Sequence, residues 1–148
     1  MIEIRGLSKR FGKKVVLDDL DLTVPKGKNT VVIGGSGTGK SVLIKCVVGL
    51  LRSDSGEIRI DGEDVTKMDE RELVRVRRKF GMLFQGSALF DSLNVGDNVA
   101  FALRRLKMIP ERHVREVVEE KLTMVGLRDI QRLMPAELSG GMKKRVGL

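Results

Sequence analysis

Residues 34–41 read Gly-Gly-Ser-Gly-Thr-Gly-Lys-Ser, which satisfies the spacing G-x-x-x-x-G-K-[ST]. A segment of this kind restricts the fold more than any other stretch of the chain, because it works only between a strand and a helix. Thr30-Val31-Val32-Ile33 precedes it, a short apolar run suited to a buried strand. Leu43, Ile44, Val47, Val48 and Leu51 follow at helical spacing. Gly34, Gly35, Gly37 and Gly39 let the backbone wrap closely around an anion, since no Cβ blocks the path. With Ser36 and Thr38 between them, successive N–H groups form an anion nest, and the helix N-terminus adds partial positive charge. Lys40 can then reach the β- and γ-phosphates of a nucleotide, and the Ser41 hydroxyl can ligate Mg²⁺. The expected fold class is therefore α/β. The loop alone specifies phosphate binding; many chemistries use it.

The rest of the chain supplies the other elements. Ile2 and Ile4, and then Leu20, Leu22 and Val24, alternate with polar neighbours, which predicts strands. Pro25-Lys26-Gly27 ends the second run. Ile58 and Ile60 mark another strand, so residues 1–30 and 56–65 form a mixed or antiparallel β part. Asp69 and Glu72 are spaced as a capping pair for a helix bearing Leu73 and Val76, ending in Arg77-Arg78-Lys79. Gly81-Met82-Leu83-Phe84-Gln85 predicts a strand running into a loop. Asn94 can cap a helix with Val95, Val99, Leu103 and Leu106. Pro110 suits the first turn of the next helix, whose face is Val114, Val117, Val118, Leu122 and Val125 and whose C-cap is Gly126. A last helix starts at Ser139.

Composition narrows the partners. The net charge of +8 suits a polyanion: a nucleotide, a nucleic acid or an anionic membrane surface. Five Phe with no Trp or Tyr leave little material for base-reading aromatic platforms. Cys46 is the sole cysteine, so it forms no internal disulfide, and its place on a helix predicts core packing. His113, the sole histidine, falls on a helix position exposed to solvent. No stretch approaches the length of a membrane-spanning helix.

A second constellation lies downstream in Leu138-Ser139-Gly140-Gly141. Ser139 can cap its helix and offer a hydroxyl to a phosphate, while Gly140 and Gly141 leave backbone N–H groups approachable. Together with Gly34–Ser41, this segment resembles the signature motif of ATP-binding cassette (ABC) transporter ATPases. Further positions carry the resemblance. Phe11 in Leu7-Ser8-Lys9-Arg10-Phe11-Gly12 is similar to the aromatic that stacks on adenine, and Val16 to an apolar residue walling the base pocket. Gln85 is similar to the glutamine that reaches Mg²⁺ and the attacking water. The spacing of 99 residues from Lys40 to Ser139 leaves no room for the long coiled coils of chromosome-maintenance relatives. The texture from Met82 to Leu103, and Met142 after Ser-Gly-Gly, resemble the MlaF-type ATPases that serve Mce-associated phospholipid trafficking.

The resemblance implies a P-loop ABC ATPase core, with residues 1–94 holding the β part and phosphate loop, 95–134 a helical subdomain, and 135–148 the signature and the start of its helix. It implies ATP and Mg²⁺ as ligands, with Lys40 and Gln85 catalytic and Ser41 and Gln85 on the metal. Phe11, Val16, Gly34–Ser41 and Ser139–Gly141 would hold nucleotide. The implied partners are a second copy in a head-to-tail dimer, an MlaE-type permease at the Gln85 region and, indirectly, an Mce-type substrate-binding protein, with nucleic acid disfavoured. The implied location is peripheral, on the cytoplasmic face of the inner membrane. The family's Asp-Glu strand, further loop Asp and switch His do not occur before Leu148, so the expectation is an N-terminal piece cut before that strand. On the order of 100 residues would follow. Such a piece is expected to bind nucleotide without hydrolysing it, and to be unstable or insoluble alone. Three alternatives stand: a non-transport ABC ATPase acting on nucleic acid or ribosomes, a P-loop kinase of a metabolite, and a non-hydrolysing binding module.

Overall fold

A computed structural model describes all residues from Met1 to Leu148. They fall into two compact units, Met1–Gly81 and Met82–Leu148.

The first unit is built on an antiparallel sheet. Strand β1 (Ile2–Phe11) turns at Gly12-Lys13 into β2 (Lys14–Val24). The other edge of β1 pairs with β3 (Ser55–Ile60), which pairs with the short β4 (Glu63–Asp64), giving the order β2-β1-β3-β4. All pairings are antiparallel, with Ile4 opposite Leu22 on one side and Ile58 on the other. Strict alternation would turn Leu7 away from the face that Ile4 occupies. A register shift between them adds a residue to β1, and both side chains end up buried.

Helix α1 (Lys40–Val47) lays Leu43 and Cys46 on this core, and α2 (Glu70–Arg77) adds Leu73 and Val76. The expected capping box forms at α2. Asp69 Oδ1 accepts from the N–H groups of Arg71 (2.8 Å) and Glu72 (2.9 Å), while the Asp69 N–H donates to Glu72 Oε2 (2.9 Å). The basic end of α2 also has a structural task. Arg77 donates to the carbonyls of Gly49 (2.5 Å) and Val48 (3.3 Å), acceptors left over where α1 ends.

The second unit is helical. Helices α3 (Val95–Arg105) and α4 (Glu111–Met124) pack through Val95, Ala100, Val114, Val118 and Leu122. Arg104 joins them by donating to Asp97 (2.8 Å) and Glu111 (2.9 Å). Gly126 closes α4: its N–H reaches the Thr123 carbonyl, and that of Leu127 reaches Leu122, both at 2.9 Å. Arg145 on α5 (Gly140–Val146) donates to the carbonyls of Val125 (3.1 Å) and Gly126 (3.2 Å). Helix α5 is thereby pinned to the end of α4.

Two expected strands do not form. Residues 30–33 are irregular, with Val31 79% and Ile33 90% exposed. Residues 81–84 are irregular as well, and Gln85 lies in a turn. The reason is common to both. A strand is stabilised by its ladder, and no strand of the four-stranded sheet pairs with either segment. Apolar sequence alone does not fix an extended backbone.

Two outcomes are expected on stability. Leu122 is 1% exposed, so Leu122→Ala should cost about 2–5 kcal/mol in chemical denaturation. Acid should act on the first unit. The N-terminal ammonium at 2.8 Å, followed by Lys79, holds the Asp61 carboxyl below its usual range, and Arg75 does the same for Glu63. A depressed folded-state pKa adds stability above the ordinary carboxylate value, and that stability is lost as pH falls through the depressed one. The denaturation midpoint should therefore drop below about pH 4, and less steeply in an Asp61→Asn/Glu63→Gln double variant.

Candidate phosphate-binding site

The loop before α1 is anchored at one end and open at the other. Gly34 to Thr38 are exposed, while Gly39 is buried. Gly39 adopts φ 94°, ψ −1° and serves as the N-cap of α1, its carbonyl accepting from the Leu43 N–H at 2.9 Å. A Cβ there would sit 2.8 Å from the Val16 carbonyl oxygen, 3.0 Å from Val16 Cγ1 and 3.2 Å from Leu17 Cδ2. Glycine is thus required twice, for its left-handed backbone and for the close approach of β2. Within the loop, Thr38 Oγ1 donates to the Gly35 carbonyl (3.0 Å). Lys40 Nζ curls back to the carbonyls of Gly34 (2.7 Å) and Gly35 (2.5 Å). An ammonium held over a ring of glycine backbone is placed where an anion seated in the loop would meet it. Ser41 is exposed on the first turn of α1, so its hydroxyl is open to a hydrated cation.

The first unit also brings the two base-pocket candidates onto the β1–β2 hairpin. Val16 abuts the loop directly through Gly39. Phe11 lies at the end of β1 opposite Lys14 and is 50% exposed, a ring available for stacking.

The second unit carries the remaining candidates. Gln85 is exposed in the turn before Ser87 and Ala88, which both take left-handed backbone (φ 66° and 52°). Ser139 caps α5, its Oγ accepting from the Met142 N–H at 3.3 Å. Gly140 and Gly141 are exposed, and a Cβ on either would meet nothing within 4 Å. His113 is exposed, as the sequence predicts.

Two residues went unmarked in the sequence. A Cβ on Gly147 would stand 2.9 Å from the Ser87 carbonyl and 3.3 Å from Leu83 Cδ1, so the end of α5 seats directly on the turn that contains Gln85. No left-handed backbone or motif advertises this glycine. Asn98 ties the segment after that turn: its Oδ1 accepts the Phe90 N–H (2.7 Å), and its Nδ2 donates to the carbonyls of Phe90, Leu93 and Asn94 (3.1, 2.9 and 3.0 Å). Its spacing of four from Asn94 was the available hint. Beside it, Phe90 and Phe101 pack with centroids 4.6 Å apart, both nearly half exposed. An open groove of about 470 Å³ lies along Leu93, Phe101, Arg104, Arg105 and Lys107.

The family model described as ABC transporter matches residues 17–148. The chain belongs to the ABC transporter family. Among curated relatives, the probable ribonucleotide transport ATP-binding protein mkl of Mycobacterium tuberculosis is 48% identical over 147 residues, 99% of this chain and 41% of its own. The intermembrane phospholipid transport system ATP-binding protein MlaF of Haemophilus influenzae is 46% identical over 148 residues, 100% of this chain and 56% of its own. The chain spans about half the length of these relatives. Among solved structures, the dimeric ATP-binding cassette MJ0796 in a post-hydrolysis state bound to ADP and Pi superposes with a TM-score of 0.90 at 28% identity, covering 99% of this chain and 67% of that one. The α/β ABC ATPase fold expected from the sequence is thereby established.

The geometry of this ABC family loop makes Gly39 the most sensitive position. Gly39→Ala should abolish nucleotide binding measured by calorimetry, because the new methyl meets the Val16 carbonyl and strains the backbone. An alanine variant that binds like the parent would show that the Gly39–Val16 contact does not shape the loop.

Proposed function

We propose that this chain forms the nucleotide-gripping portion of an ABC transporter's ATP-binding subunit, coupling ATP binding and hydrolysis to phospholipid movement between envelope membranes. The observation that carries the reading is the loop Gly34–Ser41, with Lys40 arched over its backbone and Gly39 locked against β2, in the same chain as the Ser139-capped helix α5. In this reading Phe11 and Val16 hold the base, Gly34–Ser41 the phosphates with the Ser41 hydroxyl on Mg²⁺, and Gln85 takes the role that its resemblance to the family's glutamine implies. Ser139, Gly140 and Gly141 complete the site of a second copy arranged head to tail; the dimeric state of the MJ0796 structures supports this. ATP draws the two copies together, and hydrolysis releases them.

The proposed route of coupling runs through the second unit. Gly147 seats α5 on the Gln85 turn, so a displacement of Gln85 is transmitted through packed atoms rather than through a flexible tether. Exposed Phe90 and Phe101 then offer an apolar surface to a membrane-spanning permease of MlaE type, with an Mce-type protein further out. No helix of the chain is long and apolar enough to cross a membrane. The proposed placement, peripheral on the cytoplasmic face, follows from the transporter reading.

Phospholipid as cargo rests on the MlaF relatives and on Met142 behind Ser139-Gly140-Gly141. A ribonucleotide is the second reading, favoured by the name of the mkl relatives at 48% identity. The test uses the full-length protein in a host lacking its own transporter. Lys40→Ala should abolish restoration of lipid asymmetry, and Phe101→Asp should do the same while leaving ATP binding intact. Normal lipid transport by Lys40→Ala would sink the mechanism. Restored ribonucleotide uptake with unchanged lipid distribution would transfer the cargo to the second reading.

A further inference from the structure

Phe11 does not stand alone at the end of β1. Lys9 Nζ lies 5.6 Å from the centroid of its ring, within the range of a cation–π contact. Lys9 is an unusual lysine for a strand end, since its side chain is only 14% exposed. The reason is Asp54, in the loop before β3. One carboxylate oxygen accepts from Lys9 Nζ at 2.6 Å, and the other accepts from the Arg10 backbone N–H at 2.7 Å. The Asp54 N–H in turn donates to the Ser8 carbonyl at 2.9 Å. Asp54 thus continues the β1–β3 ladder past its last backbone pair, Ser8 with Ser55, using its side chain as a stand-in for a strand. The Lys9 and Arg10 contacts hold the Asp54 carboxyl below its usual range, Lys9 contributing most, so it stays ionised at neutral pH. The ammonium is therefore fixed from behind, and its position over Phe11 is set by the fold rather than by chance rotamers.

We propose that Lys9, clamped by Asp54, is the positioning residue that presents Phe11 to a nucleotide base. This rests on the nucleotide reading above and extends it to base recognition. A cation on one face of a phenyl ring withdraws electron density from the other face. The free face then stacks more favourably on an electron-rich purine. Phosphate gripping lies elsewhere, in Gly34–Ser41, so the two contributions separate experimentally.

Calorimetry on the full-length protein with ATP and with inorganic tripolyphosphate, each with Mg²⁺, makes the separation. Lys9→Met keeps the apolar stem and removes the charge; Asp54→Asn keeps an acceptor for Arg10 and releases Lys9. Both variants should weaken ATP by roughly three- to tenfold and leave tripolyphosphate within about twofold of the parent. Lys9→Arg should restore ATP binding, since a guanidinium also sits over an aromatic face. A merely structural role would weaken both ligands together, and that result overturns the proposal while the nucleotide reading stands. Unchanged ATP affinity in both variants overturns it as well. A parent chain that binds neither ligand overturns the nucleotide reading and this proposal with it.

Discussion

The contact between Gly39 and β2 governs the first unit. The glycine's missing side chain lets the backbone of Val16 come within a distance that any Cβ would forbid. That approach fixes where α1 begins, because Gly39 is also its N-cap. It follows that Lys40 emerges at a set angle over Gly34 and Gly35, and that Leu43 and Cys46 point into the core shared with Ile4, Leu7 and Ile58. The loop can therefore be open to solvent along most of its length and still have a defined shape. Its stiffness comes from the anchored end and from the Thr38 and Lys40 hydrogen bonds to its own carbonyls.

The second unit achieves definition in another way. It contains no sheet, and its helices are short, so side chains do much of the work of holding termini. Arg145 takes the carbonyls at the end of α4, Asn98 gathers three carbonyls and one N–H around the 90–94 segment, and Arg104 spans α3 and α4. Arg145 satisfies carbonyls that the end of α4 leaves unpaired, Asn98 satisfies loop backbone ahead of α3, and Arg104 pairs with carboxylates of both helices. Beneath them the core of Val95, Val114, Val118 and Leu122 is wholly apolar. The polar pins set direction, and the apolar contacts supply most of the stabilisation.

Much of this was legible from residues. The 3.6-residue period of Val114, Val118 and Leu122 marked a buried stripe, and it is buried. Asp69 with Glu72, Asn94, Gly126 and Ser139 marked helix ends through side-chain or backbone chemistry that acts over three or four residues. Local signals of this sort survive because the interaction and its sequence signature lie within one turn. The strands at 30–33 and 81–84 failed for the complementary reason. Pairing is supplied by residues far away in the chain, and an apolar run carries no information about whether a partner strand lies beside it.

The same division runs through the candidate site. Sequence alone determined that a glycine-rich loop at residues 34–39 leads into helix α1 and that Ser139 starts a helix, since both depend on backbone freedom and hydrogen bonds between near neighbours. Tertiary structure alone decided that Val16 touches the loop, that Gly147 seats α5 on the Gln85 turn, and that Asp54 holds Lys9 beside Phe11. These contacts join residues tens of positions apart, apart from the neighbours Lys9 and Phe11. Their closeness is a product of sheet register and helix packing, which no local pattern encodes.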